Sequence, residues 1–317
     1  VEDLPNSLLE AVRHYSDLDL CEHKMALMKW DEWKPVCPKC GGADIGRIAS
    51  RRKYQCKAKN CRMQFSVKVG TIFEDSPLGL DKWFVAVWCI ANAKNGISSC
   101  ELARALDVTQ KSAWFMLHRI REAMRTGTFQ KLKGEIEVDE TFIGGKAKNM
   151  HKHKRDKVID GRGPVNKTAV QGILERGGEI RTKVVAATDG ETLRGNVLRN
   201  VDRSATVYTD ALPAYQELSK AYLHQSVDHV IEYVKGRIHT NGLENFWSLL
   251  KRALKGTYTQ CAPFHVHRYC DEQAWRYNNR KTGDGGRFEA LLKMVVGKRL
   301  TWRQLCMVGD CGFMGIE

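Results

Sequence analysis

The chain has 317 residues, with 51 Lys and Arg against 37 Asp and Glu, a formal net charge of +14 and a pI near 9.3. That length allows two or three domains with cores of their own, and a 43% hydrophobic, 28% charged composition excludes a disordered or collagen-like chain. No stretch approaches the roughly 20 apolar residues that span a bilayer, and residues 1–10 lack the basic-then-apolar pattern of a signal peptide. A soluble, intracellular protein is expected, and its positive excess favours a polyanionic partner, nucleic acid being the simplest.

Residues 1–33 read as one or two short helices, with Leu8, Leu9, Val12 and Tyr15 at helical spacing. Residues 34–75 change character. Cys37-Pro-Lys-Cys40-Gly-Gly and Cys56-Lys-Ala-Lys-Asn-Cys61 form two close pairs, the spacing with which thiolates close tetrahedrally around one zinc ion. The total of 11 cysteines is odd and the rest sit singly, so a structural metal in a reducing compartment fits better than a disulfide framework. Short strands are expected at 45–48, 53–56 and 64–67. The segment carries Lys34, Lys39, Arg47, Arg51, Arg52, Lys53, Lys57, Lys59, Arg62 and Lys68 against the lone acid Asp44, which suits phosphate contacts or a solvated basic surface.

Residues 76–130 are helical. Ser98 opens a capped helix over 99–106, residues 107–109 make a tight turn, and a second helix follows over 110–124. The arrangement suits a helix–turn–helix with Lys111 opening the second helix and Arg119, Arg121 and Arg125 within reach of phosphates, though any helical hairpin in a core has the same pattern.

Beyond Gly134 strands alternate with helices: strands at 135–143, 169–175, 182–187, 206–209 and 225–229, helices at 191–201, 212–221 and 242–254. This order predicts an α/β domain with a mixed sheet over residues 131–260, followed by a helical extension over 261–317. Three acids stand out. Asp139 lies in the first strand, Asp210 closes the fourth, and Glu244 sits in the first turn of the last helix. Converging at a sheet edge, they would hold two Mg²⁺ or Mn²⁺ ions about 4 Å apart for chemistry at phosphorus. Each also has an ordinary explanation. Asp139 or its neighbour Glu140 pairs with a lysine; Asp210 caps the following helix; Glu244 completes a capping box with Asn241. Trp247 and Trp275 read as core residues.

Several motifs together resemble one family: Cys-Pro-Lys-Cys40-Gly-Gly, Ala-Trp114-Phe-Met-Leu-His-Arg-Ile-Arg121, Glu-Val-Asp139-Glu-Thr-Phe-Ile-Gly-Gly-Lys146, Thr-Asp210-Ala-Leu-Pro-Ala-Tyr, His239-Thr-Asn-Gly-Leu-Glu244-Asn-Phe-Trp-Ser-Leu-Leu-Lys251-Arg and Trp-Arg276-Tyr-Asn-Asn-Arg280. They resemble the DDE transposases of bacterial insertion sequences related to eukaryotic Merlin elements, over about residues 20–300. The resemblance implies an RNase H-like catalytic domain with Asp139, Asp210 and Glu244 as its metal-binding triad. It also implies an N-terminal zinc ribbon and helix–turn–helix that bind terminal inverted repeats. Members vary at the third acidic position, some carrying Asn, and Asn245 adjoins Glu244 here. Lys251, where the family commonly has lysine, follows Glu244 by two helical turns and suits a DNA phosphate, with Arg252 and Lys255 continuing the stripe. Lys53, Lys57, Lys111, Arg119 and the basic run over 146–157, with Lys146, Lys154 and Arg155, complete the expected DNA contacts.

The expected activity is metal-dependent hydrolysis at an element end, then attack of the freed 3′-OH on target DNA. A homodimer or higher assembly on double-stranded DNA is expected, in the cytoplasm and nucleoid of a bacterium. Two alternatives stand beside it: a zinc-dependent DNA-binding protein derived from a transposase that has lost catalysis, and an RNase H-like nuclease that cuts without joining.

Overall fold

Residues 4–30, 34–125, 130–145, 150–153, 155, 166–227, 239–259 and 261–306 are described by a computed structural model. The chain divides into two compact units, residues 1–125 with 281–317 and residues 126–280. The expected boundaries near 34 and 76 fall inside the first unit, that near 131 close to the division at 126, and that near 261 inside the second. The N-terminal helices, the cysteine-rich ribbon and the helical hairpin share the first unit, and the last helical stretch is split between both units.

In the first unit, α1 (Leu8–His14) and α2 (Leu18–Lys29) begin at Ser7 and Asp17, whose side chains accept from the backbone N–H groups of Glu10 and Asp19. An antiparallel sheet follows, β1 (Ile45–Ile48), β2 (Lys53–Cys56) and β3 (Gln64–Phe65), the last shorter than expected. The ribbon is tied to α2 by aromatic packing of Trp30 against Tyr54 and Phe65. A bond from Arg47 to buried Glu22, 2.9 Å long, adds to the tie. Helices α3 (Leu80–Asn92), α4 (Ser99–Leu106) and α5 (Gln110–Met124) complete the N-terminal part. The returning helix Asp284–Lys293 places Phe288 against Tyr15, Phe84 and Trp88.

The second unit is built on a five-stranded mixed sheet: β4 (Glu135–Ile143), β5 (Thr168–Glu175), β6 (Ile180–Val185), β7 (Thr206–Asp210) and β8 (Leu223–Val227), in the order β6-β5-β4-β7-β8. β4, β5 and β6 pair antiparallel, whereas β7 and β8 run parallel to β4. Strand alternation gives the sheet two apolar faces. Ile136, Val138, Ile173 and Val207 pack under α6 (Gly190–Asn200) and a 3₁₀ helix, Pro213–Lys220. Ile143, Val170 and Leu174 pack under α7 (Asn241–Ala253) and α8 (Val266–Asn278). The helix expected over 212–221 is present as the 3₁₀ helix Pro213–Lys220. Its buried residues Tyr215 and Leu218 are three apart, which suits a three-residue turn.

Two glycines let α7 approach the sheet. Gly172 lies opposite Asp139 in the β4–β5 register, and a Cβ there would stand 2.6 Å from Cζ2 of Trp247 and 2.8 Å from Cδ2 of Leu243. At Gly242 a Cβ would meet Cδ2 of Leu174 at 2.5 Å and Oε2 of Glu137 at 2.7 Å. Gly172→Ala is expected to lower the unfolding free energy by about 1–3 kcal/mol through overpacking. Denaturant titration checks this, and an unchanged midpoint would mean that α7 yields freely.

Candidate active site

β4 carries four acids, and the fold gives them different surroundings. Glu135 accepts from the Tyr208 hydroxyl at 2.9 Å and faces Arg176. Glu137 is buried; Arg176 Nε donates to it at 2.9 Å, the backbone N–H of Leu243 donates at 3.0 Å, and His239 Nδ1 lies 3.4 Å away. Because Arg176 also donates to the His239 carbonyl at 2.8 Å, this group latches the start of α7 to the ends of β4 and β5.

Asp139 lies one alternation beyond Glu137 on the same face. It lines a cleft of about 580 Å³ with Glu140, Thr141, Glu244, Trp247, Ser248, Lys251, Arg252 and Lys255. β4 and β7 pair in parallel as far as Glu137 beside Tyr208, and Asp210, two residues further on, is near enough for its charge to act on Asp139. Asp210 does not line the cleft itself; it borders Asp139 from the neighbouring strand. Burial, then the charges of Asp210 and Glu244, raise the Asp139 carboxyl to about 6, against the opposing bonds from the Glu140 backbone and the Trp247 indole. Burial and the charges of Asp139 and Asp210 push Glu140 up to about 8. Its Oε1 is buried without a hydrogen-bond partner among the described residues. Asp139 thus feels the charges of the other two acids expected from the sequence.

The competing explanations fare unequally. Asp210 Oδ1 accepts from the Leu212 N–H at 3.2 Å, a local turn bond, but the 3₁₀ helix begins at Leu212 without a side-chain cap. The capping box expected at Glu244 is not formed, since the N-cap is Thr240 and makes no side-chain bond. Glu244 is exposed and points along the α7 face that carries Ser248, Lys251 and Arg252. Trp247 is buried as expected, yet its indole N–H donates to Asp139 Oδ2 at 2.9 Å.

The cation stripe continues into a π-helical turn, Leu254–Tyr258, that holds Lys255. The Tyr258 hydroxyl and Arg276 both donate to Glu272, which is wholly buried, so the turn is pinned to α8. A cleft lined by acids and by three exposed cations suits a phosphodiester that also meets divalent cations.

In the first unit, Cys37, Cys40, Cys56 and Cys61 lie with their ligand atoms within 4.8 Å of one another. The pairs Cys37–Cys61 and Cys40–Cys56 stand at 3.6 Å, close to the edge of a tetrahedron with bonds of about 2.3 Å. Both knuckles turn through a left-handed residue just after their second cysteine, Gly41 at φ 71° and Arg62 at φ 51°. Burial opposes a charged Cys37, but backbone N–H groups of Cys40 and Lys39 and the neighbouring thiols outweigh it and bring it down to about 7.

Helices α4 and α5 match the expected bounds, with a capping box between Ser98 and Glu101 and left-handed Asp107 in the turn. Of the expected phosphate contacts on α5, Arg119 and Arg121 are buried. Arg119 lies over Trp83 and Phe115 and donates to the Glu74 carbonyl. Both drop out of the DNA-contact set, because α5 beyond its first turn is largely core. Lys111 stays exposed, with its ammonium 4.9 Å over the Trp302 ring. Lys53 is exposed, and Lys57 is exposed with Asp44 3.7 Å away. Arg155 is half-buried, whereas Lys146 and Lys154 lie outside the described residues.

Residues 131–278 match the ISXO2-like transposase domain, a span that falls within the second unit. A relative described as an uncharacterized protein in transposable element ISH50, from Halobacterium salinarum, is 30% identical over 229 residues, covering 69% of this chain and 77% of its own length. The chain belongs to the ISXO2-like transposase family.

It is thereby a DDE transposase of the insertion-sequence type, as its motifs suggest. The match contains Asp139, Asp210, Glu244 and the cation stripe on α7. Among the described residues no helix is long and apolar enough to cross a membrane. The sequence alone did not single out Glu137, Arg176, Gly172 or Gly242. Only Glu137 left a usable signal, since it sits two residues from Asp139 and must share its face.

Proposed function

We propose that this chain binds the terminal inverted repeats of its element and performs phosphodiester hydrolysis and strand transfer as a two-metal polynucleotidyl transferase. The observation that carries the reading is that the charges of two other acids reach Asp139. Asp210, at the end of the strand parallel to β4, and Glu244 on α7 are both near enough for their charges to raise the Asp139 carboxyl. The strand order, with three antiparallel strands followed by two parallel ones, supports an RNase H-like domain.

The donor set fits Mg²⁺ or Mn²⁺: all three groups are hard carboxylate oxygens. The burial of Asp139 and the charges of Asp210 and Glu244 upon it are what bound cations would relieve. Asp139, Asp210 and Glu244 would hold those ions, which supply Lewis acidity to the attacking and leaving oxygens at phosphorus. Lys251, Arg252 and Lys255 hold the DNA backbone across the cleft, and the cleft orients the scissile phosphate between cations and acids. Each step makes one P–O bond and breaks one: water opens the element end, and the freed 3′-OH then attacks the target strand.

The cysteine cluster would take zinc as a structural ion, since four sulfurs at tetrahedral spacing offer no open ligand position. The ribbon, with Lys53 and Lys57, and the first turn of α5, with Lys111, recognise the repeats. The chain acts as a dimer or higher assembly on DNA, because two ends must be joined to one target. Pre-cut repeat ends incubated with Mg²⁺ and plasmid should yield joined products. Asp139→Ala should bind repeats and join nothing, and joining retained in that variant removes the catalytic assignment. Repeat binding by the unaltered protein without any metal-dependent nicking would favour the non-catalytic binder, and degraded rather than joined DNA the simple nuclease.

A further inference from the structure

We infer that Trp247 is a positioning residue for the acid cluster. Its indole N–H holds one oxygen of Asp139, so that the other is presented to the cleft, and it ties that carboxylate to the helix bearing Glu244. The inference rests on the reading of Asp139, Asp210 and Glu244 as metal ligands.

Four observations carry it. The Nε1–Oδ2 distance of 2.9 Å is that of a charge-assisted hydrogen bond. Trp247 is 4% exposed, which fixes its ring, yet it forms part of the cleft wall. The sheet makes room for the indole at the position facing Asp139, where Gly172 leaves a gap that any Cβ would close to 2.6 Å. Trp247 also follows Glu244 by three residues on α7, so the two side chains are neighbours on one face.

A tryptophan needed only for bulk would be served by any acceptor or by phenylalanine. Here the donor reaches a carboxylate that burial already disfavours, and it takes Oδ2, while the Glu140 backbone N–H is the carboxylate's other donor. A carboxylate held this way is restricted in rotation and meets a cation with less reordering, and partners of ligands in such positions are worth about 10–100-fold in metal affinity. Because donor and Glu244 share a rigid helix, the bond also sets the span between the two ligands.

Trp247→Phe keeps an aromatic ring in the gap over Gly172 and deletes the donor. The Mg²⁺ or Mn²⁺ concentration giving half-maximal nicking should rise about tenfold or more, with activity recovering toward the original at saturating metal. Repeat-DNA affinity should not change. Calorimetric titration of the full chain with Mn²⁺ should show the same loss without any substrate.

The unaltered protein gives an independent measurement should the variant fold poorly. One indole N–H resonance should move on addition of Mg²⁺, and the movement should vanish in Asp139→Asn. An unchanged metal dependence in Trp247→Phe, or no indole resonance that responds to Mg²⁺, overturns the inference. Those results beside an inert Asp139→Ala leave the triad standing and remove Trp247 alone. Joining by Asp139→Ala removes the triad itself.

Discussion

Asp139→Asn should give a metal-free protein that melts at a higher temperature than the unaltered chain at pH 7.5 and that joins no DNA. Burial, reinforced by Asp210 and Glu244, holds the Asp139 carboxyl at about 6, against 3.8 for an ordinary aspartate. The folded state therefore retains a proton that the unfolded chain has already released, and stability falls as pH rises from about 4 through 6. The loss is on the order of 2–3 kcal/mol. Glu140, held up at about 8 by burial and by Asp139 and Asp210, extends the decline toward neutral pH. Asparagine removes the charge and keeps the shape, so the penalty disappears. Joining should drop by on the order of 10³-fold or more, since a neutral amide is a poor ligand for a hard cation. Mg²⁺ should stabilise the unaltered protein far more at pH 7.5 than at pH 5, and the asparagine variant little at either pH. Melting curves across pH with and without Mg²⁺ check each point. A variant less stable than its parent at pH 7.5 would contradict the assignment of repulsion to this cluster.

Removing the metal from the cysteine cluster should have the largest effect on folding. The ribbon's three strands are four, four and two residues long, and its apolar interior rests on Tyr54, Phe65 and Val67. A sheet of that size does not fold on burial alone; structural zinc in small ribbons contributes on the order of 10 kcal/mol. Cys40→Ser, or prolonged chelation, should release one zinc per chain by elemental analysis. It should also disorder Tyr54 and Phe65 by near-ultraviolet dichroism and abolish repeat binding. The packing of Trp30 on those rings should loosen with them, since the ribbon holds that side of α2. A fully metal-free protein with an intact near-ultraviolet spectrum would show that the thiols are merely neighbours.

Much of this architecture was readable from spacing. The paired cysteines, the capped helix at Ser98 and the strand–helix alternation beyond Gly134 are local patterns, and the structure follows them closely. The strand positions of Asp139 and Asp210 were readable because each closes or lines a strand whose alternation is plain. What escaped depends on partners distant in sequence. Arg119 reads as a surface cation until Trp83, Phe115 and Glu74 are folded around it. Glu244 reads as half of a capping box until the helix is seen to start at Thr240 without one. Gly172 carries no pattern of its own; its necessity appears only when Trp247 is laid across it. The regrouping of residues 281–306 with the first unit likewise rests on packing such as that of Phe288, which helical periodicity does not specify.

The latch at the start of α7 has a consequence for what that helix answers to. Glu137 grips the Leu243 amide and Arg176 grips the His239 carbonyl, so the first turn of α7, where Glu244 stands, is anchored to β4 and to the residue just past β5. Whatever disturbs either grip is therefore carried to Glu244 through the helix itself, without any change at Glu244.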